Sequence, residues 1–279
     1  MKAVVNFFVL VFFFSACEII NPEEDLPAYI HIPELMLTTV ESKQGANTHN
    51  ICDVWLNVDG ELIGVFELPV TCPVLKTGMH TLTIRAGIKD NGIAASRTPY
   101  PFYSKYKINK KLIAQKIDTL SPEITYDDEL NFDNLWLEDF DDMGLTLETT
   151  EQSDVPVQLQ TDSTGNRFMQ INLDTSDAIF EFKTINSKYL PFDRPVYLEL
   201  DYKNDHAFIA GVFANKTDGA YQIPVININP VSEWSKIYIN LTNTMASNRT
   251  IFFVINRSLY ENNTDALICI DNIKLIYYE

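Results

Sequence analysis

Histidine and cysteine are scarce, four of each among 279 residues. The histidines, at 31, 49, 80 and 206, form no H-E-x-x-H arrangement, and no cysteine spacing suits zinc. No G-x-S-x-G elbow, phosphate-binding loop or dinucleotide fingerprint occurs, so none of the catalysts those motifs mark is expected. Basic residues are few, 21 against 38 acidic, giving a net charge of −17. Binding to nucleic acid needs clustered Lys and Arg, so a nucleic-acid partner is excluded. Glycine (10) and proline (13) are too few for a fibrous or disordered chain. Helical periodicity is nearly absent. The longest apolar run, Val4 to Phe14, is broken only by Asn6 and falls short of the ~20 residues that a spanning helix requires.

What is present suits pleated surfaces. There are 17 Phe and 13 Tyr, with β-branched residues in short runs. An all-β chain follows. The length suffices for two cores, and the charge divides the chain. Residues 28–118 carry 10 basic and 8 acidic side chains, whereas residues 119–279 carry 10 basic and 26 acidic. Two modules with different surfaces are expected.

Residues 1–16 read as a signal peptide, with Lys2 before the apolar stretch. Phe14-Ser15-Ala16-Cys17 resembles the lipobox of bacterial lipoproteins, which implies acylation of Cys17 and anchorage in an outer membrane. The alternative is ordinary cleavage near Ala16 that leaves a free thiol. Residues 17–27 form an acidic tether whose Glu23-Glu24-Asp25 cluster is similar to the surface-export signal of Bacteroidota lipoproteins. A plain solvated linker would look the same. Of the remaining thiols, Cys52 and Cys72 either pair, as export permits, or stay free and buried.

In residues 28–118, Cys52, Val54, Leu56 and Val58 alternate on one face, and Asp59-Gly60 then predicts a type I′ hairpin. A regular ladder from that turn sets Trp55 opposite Gly64. Trp55 is then either a ligand platform or a cover over bare backbone. Val58-Asp59-Gly60, Ile63-Gly64 and Gly78 through Ile84 resemble the PEGA-type β domain of bacterial envelope proteins. That likeness implies a small β-sandwich acting as spacer or adapter. Tyr100, Phe102 and Tyr103 lie in a proline-punctuated segment followed by Lys105, Lys107, Lys110, Lys111 and Lys116. They form either a packed loop before a lysine-protected edge strand or a docking patch for an acidic partner or lipid headgroups.

Residues 119–279 hold short alternating runs at sandwich spacing, among them 169–173, 196–202, 237–241 and 267–277. The order Leu137-Glu138-Asp139-Phe140, Thr164-Gly165-Asn166-Arg167, Trp234 and Cys269-Ile270-Asp271-Asn272 resembles the jelly-roll carbohydrate-binding modules and their galactose-binding-like relatives. The resemblance implies a larger jelly-roll β-sandwich. It also implies a structural calcium held by Glu138, Asp139 or Asp142 together with Asp271; the alternative is a solvated acidic turn with Asp271 as a cap. Trp136, Tyr197, Tyr221 and Tyr238 are candidate sugar platforms, and the resemblance places Trp234 in a packed position.

The expected function is a non-catalytic outer-membrane lipoprotein acting as adapter or accessory subunit of an envelope complex. Its partners are the membrane, through the N-terminal lipid, and an envelope protein. The alternative is a surface glycan-binding lipoprotein of a polysaccharide uptake system. A hydrolase with an unrecognised carboxylate pair ranks third.

Overall fold

The computed structural model describes residues 25–141, 144–174, 176–191, 193–216, 219–244, 247–256 and 264–279. Cys17, the signal segment and Asp142 lie outside these.

The first part of the chain forms β1 (Ala28–Ile32), β2 (Met36–Leu37), β3 (Asp53–Val58), β4 (Glu61–Glu67), β5 (Val70–Val74), β6 (Gly78–Lys89), β7 (Arg97–Pro99), β8 (Tyr106–Leu112), β9 (Ile117–Thr119) and β10 (Glu123–Ile124). A single-turn helix, α1 (Glu41–Gln44), precedes β3. Strands β4-β3-β6 continue into β7 at one end of β6 and into β8 at the other. A three-stranded sheet, β5-β1-β9, faces them, and β2 pairs with β10. Val54, Leu56, Leu82 and Ile84 from one sheet meet Ile30 and Val74 from the other in a shared core. That core also takes in Leu120, Ile124, Tyr126 and Leu130.

The predicted hairpin is present. Asp59 (φ 52°) and Gly60 (φ 86°) both adopt the positive φ that a type I′ turn demands. The register beyond it differs from the regular ladder. A bulge between Leu56 and Asn57 sets Leu56 against Gly64 and Trp55 against Val65. Trp55 covers a different glycine, because a Cβ on Gly87 would lie 2.9 Å from its Nε1, while the Phe66 ring occupies the space over Gly64. Cys52 and Cys72 are free thiols.

The second part forms β11 (Trp136–Glu138), β12 (Leu147–Thr149), β13 (Gln158–Thr161), β14 (Arg167–Leu173), β15 (Ile179–Thr184), β16 (Lys188–Leu190), β17 (Val196–Asn204), β18 (Phe208–Lys216), β19 (Gly219–Ile228), β20 (Val231–Asn240), β21 (Ser247–Asn256) and β22 (Ala266–Tyr277). Two six-stranded antiparallel sheets stack as a jelly-roll β-sandwich. One is β13-β14-β22-β17-β20 with β11 on β22; the other is β12-β15-β21-β18-β19 with β16 on β21. Leu198, Leu200, Ile239, Ile268 and Ile270 of the first meet Phe180, Phe253 and Val212 of the second.

Strands β17 and β22 are buried along nearly their whole length. Period-two alternation would leave one face wet, so both faces are covered here. The inner face meets the sandwich core. The outer face, with Tyr197, Tyr238 and Ile276, belongs to the core cluster of the first module. Asn272, at φ 47°, is the extra residue of a bulge in β22, and it puts Asp271 and Lys274 on this outer face while Ile270 and Ile273 point inward.

Candidate functional site

The junction between the modules is polar at its centre. Glu199 is fully buried and accepts hydrogen bonds from Tyr100 Oη (2.6 Å) and Tyr126 Oη (2.8 Å). Lys236 lies 3.6 Å from Glu199 and donates to Asp201 at 3.1 Å. Asp201 also accepts from Thr48 Oγ1 (2.6 Å) and Asn272 Nδ2 (3.0 Å). Lys274 donates to the Ala46 carbonyl (3.0 Å) and to Tyr126 Oη (3.3 Å). These groups lie in low dielectric, and the shifts follow from that. Burial opposes the charge on Lys236, but Asp201 and Glu199 outweigh it and raise its pKa. For Lys274 the balance goes the other way: burial, then repulsion from Lys236, outweighs Glu199, Asp201 and Asp139 and pulls it down to about 7. Burial, then Glu199, drives Tyr100 well up, so its phenol remains a donor.

Beside this network a cleft of about 630 Å³ opens between the loop after α1 and the sheet of the second module. Thr48, His49 and Asn50 form one wall, and Asp162, Thr164 and Asn166 of the β13–β14 turn form another. Trp234 stands on the rim, 43% exposed, with its ring edge-on to Phe168. Asp271 lies within, accepting from Asn166 Nδ2 (2.8 Å) and the Asn272 amide (2.7 Å). Burial raises its carboxyl to about 7 despite those donors. Asp162 is held low by the Thr164 hydroxyl and amide. Burial, then Lys236, lowers His49. The cleft thus offers a flat apolar surface at its edge and a dense set of acceptors and donors inside it.

Most of the predicted binding residues lie elsewhere. Tyr100, Phe102 and Tyr103 are buried against Tyr197 and Tyr238, so they form the junction and no docking patch. The reason is the outer face of β17, β20 and β22, where Tyr197 and Tyr238 pack on these rings and Glu199 accepts from the Tyr100 phenol. Trp136 is core, donating from Nε1 to Thr146 Oγ1 at 2.9 Å. Tyr197 is buried and donates to Asp90 Oδ1 at 2.9 Å. Trp55 is half-buried over Gly87. Tyr221 is exposed, but on β19, away from the cleft lining. Trp234, expected to be packed, is the exposed aromatic at the cleft. Its strand pattern carried no signal of this, since the cleft wall comes from residues 48–50 of the other module.

Of the residues predicted for calcium, Glu138, Asp139 and Asp271 are described, and each is engaged within the chain. Glu138 spends its oxygens on the amides of Phe140 (3.2 Å) and Thr146 (2.7 Å) and on Thr146 Oγ1 (2.5 Å). Asp139 accepts from the Asp141 amide, Asp271 is engaged as above, and Asp142 lies outside the described residues. Among the described residues no group of three or more His, Cys, Asp or Glu converges to hold a metal.

No protein-family model matches the chain, and no curated protein matches it. Solved structures similar in fold include a family 29 carbohydrate-binding module, at 15% identity and a TM-score of 0.35 over 50% of this chain and 88% of that one. A family 11 carbohydrate-binding module from a cellulosomal cellulase of Clostridium thermocellum aligns at 17% identity and a TM-score of 0.33, over 51% and 94%. An exo-β-agarase aligns at 12% identity and 0.36, over 51% of this chain and 25% of the enzyme.

Proposed function

We propose that the chain is a non-catalytic carbohydrate-binding protein, held at an outer membrane through acylated Cys17, whose ligand site is the cleft at the module junction. One observation carries the reading: an exposed tryptophan stands at the mouth of a concave site otherwise lined by Asp, Asn, Thr, His and Lys. A sugar ring has an apolar C–H face and a rim of hydroxyls, and such a ring demands this pairing of aromatic surface with precisely aimed polar groups. Asn166 and Asn272 each offer donors and acceptors, and Asp162 offers an ionised acceptor, which suits hydroxyl pairs. The aromatic segment 100–103 that was expected to serve an adapter role is buried in the junction.

The test is a glycan array probed with the full chain and with Trp234→Ala. Binding that falls ~10-fold or more in the variant is expected, since truncating a tryptophan that anchors a ligand typically costs about 2 kcal/mol or more. Unchanged binding sinks the assignment of the cleft. Asp271 and Asp162 have pKa values pushed apart, as a hydrolase would need, so the bound glycan is also assayed for cleavage; retention without new reducing ends is expected.

A further inference from the structure

The first module has two poles. At one, Asp90 bridges to Tyr238 and the junction begins. Strand β6 runs twelve residues from there to the opposite pole at Gly78, about 40 Å at ~3.4 Å per residue. Register brings several exposed apolar side chains together at that far pole. Ala28 pairs with Val74, so Leu26 and Leu75 both lie just beyond the paired ends of β1 and β5. Tyr29 pairs with Ile117, and the Gln115 amide donates to the Pro27 carbonyl, which draws Ile113 and Ile117 to the same spot. Met79 lies opposite Lys111 on β8. Leu75 and Met79 are 66% and 65% exposed, more than any other large apolar residue among those described. Around them Lys107, Lys111 and Lys116 are exposed. Apart from Asp25, the acids of this pole are each engaged by a base: Asp59 by His80, Glu61 by Lys76, and Asp118 by Lys110 and Lys116.

We propose that this pole is a membrane-contact surface, resting its apolar side chains and lysines on an anionic bilayer and pointing the cleft outward. The inference rests on the anchorage of Cys17 proposed above. Two features on the page choose the occupant. The described chain enters at this pole, and Cys17 precedes Asp25 by so few residues that the tether reaches at most about 28 Å. Residues 119–279 carry 10 basic and 26 acidic side chains, so an anionic surface repels the second module and favours approach by the first. Apolar side chains ringed by lysine are the composition that settles at the headgroup boundary.

The experiment uses the acylated full chain with Met79→Cys or Leu75→Cys, each labelled with an environment-sensitive thiol dye. The chain is reconstituted into vesicles of phosphatidylglycerol and brominated phosphatidylcholine. Ile93→Cys, at the junction pole of the same module, is the control, and the unsubstituted chain treated identically gives the background from native thiols. The expected result is quenching at 79 and 75 but not at 93, weakening at ~1 M salt, where the screening length shrinks to about 3 Å. A chain that floats with the vesicles while all three dyes respond alike overturns the contact surface and leaves the anchor standing. A chain that does not float overturns both. Protection of the dye by an acidic protein in native membranes, without bromolipid quenching in the vesicles, overturns it in favour of protein docking.

Discussion

Tyr100 and Tyr126 each aim a phenol at one carboxylate that has no access to water. A hydrogen bond to a charged group contributes about 1.5–3 kcal/mol, so Tyr100→Phe is expected to lower stability by that amount in chemical denaturation. Glu199→Ala removes the acceptor of both phenols and one partner of Lys236, and a broken buried pair costs about 3–5 kcal/mol. Equal losses in the two variants would show that the network acts as one unit, in which losing a single phenol already forfeits the whole. Asp271 gives a pH dependence of definite sign. Its carboxyl ionises near 3.8 in an unfolded chain and at about 7 in the folded one. The folded state therefore holds the proton more tightly between those values, and stability from this group falls as pH rises from about 4 through 7. Asp271→Asn is expected to flatten that part of the melting-temperature profile; a parallel profile would show that Asp271 titrates normally.

At the level of strands and turns, close approach of backbone to backbone sets the limits. A Cβ on Gly211 of β18 would lie 2.4 Å from the Ile223 carbonyl and 2.8 Å from the Phe252 ring, at the bulge where β18 meets β19. Gly211→Ala should cost about 1–3 kcal/mol, as overpacking does. Gly144→Ala, with nothing nearby, is the near-neutral control. In the β3–β4 hairpin, Asp59 accepts from the Thr81 amide and from His80 (2.6 Å), and the side-chain bond to Asp59 raises His80 above its ordinary value. The support is fully present below the ordinary histidine value of 6.5 while Asp59 stays ionised, and it fades as pH rises through the raised value. Titration of His80 by NMR in Asp59→Asn should give a lower midpoint than in the parent chain. Strands β14, β15, β17, β18 and β20 to β22 were legible in the sequence because each alternates around apolar residues. Strand β19 was not, since Gly219, Gln222 and Pro224 interrupt its pattern. The register at Trp55 was missed for a related reason: the Asp-Gly turn fixes pairing only as far as the first bulge, and period two carries no mark of an extra residue.

For the molecule as a whole, the burial of Tyr100, Phe102 and Tyr103 could not be read from their own neighbourhood. Their partners lie far along the chain; Glu199 is 99 residues from Tyr100. The cleft was hidden for the same reason, because it exists only where loop 45–50 meets the second sheet. The calorimetric trace should show one transition with equal calorimetric and van't Hoff enthalpies, since parting the modules would strand Glu199 and Lys236. Two resolved transitions would refute that. The same network bears on how such a chain can change over generations. A jelly roll cut out and fused to a new neighbour would carry outward Glu199, Asp201, Lys236 and Lys274 together with the bare rings of Tyr197 and Tyr238. Its halves must be inherited as a pair, and insertions that leave the seam between them intact are the changes the chain can accept.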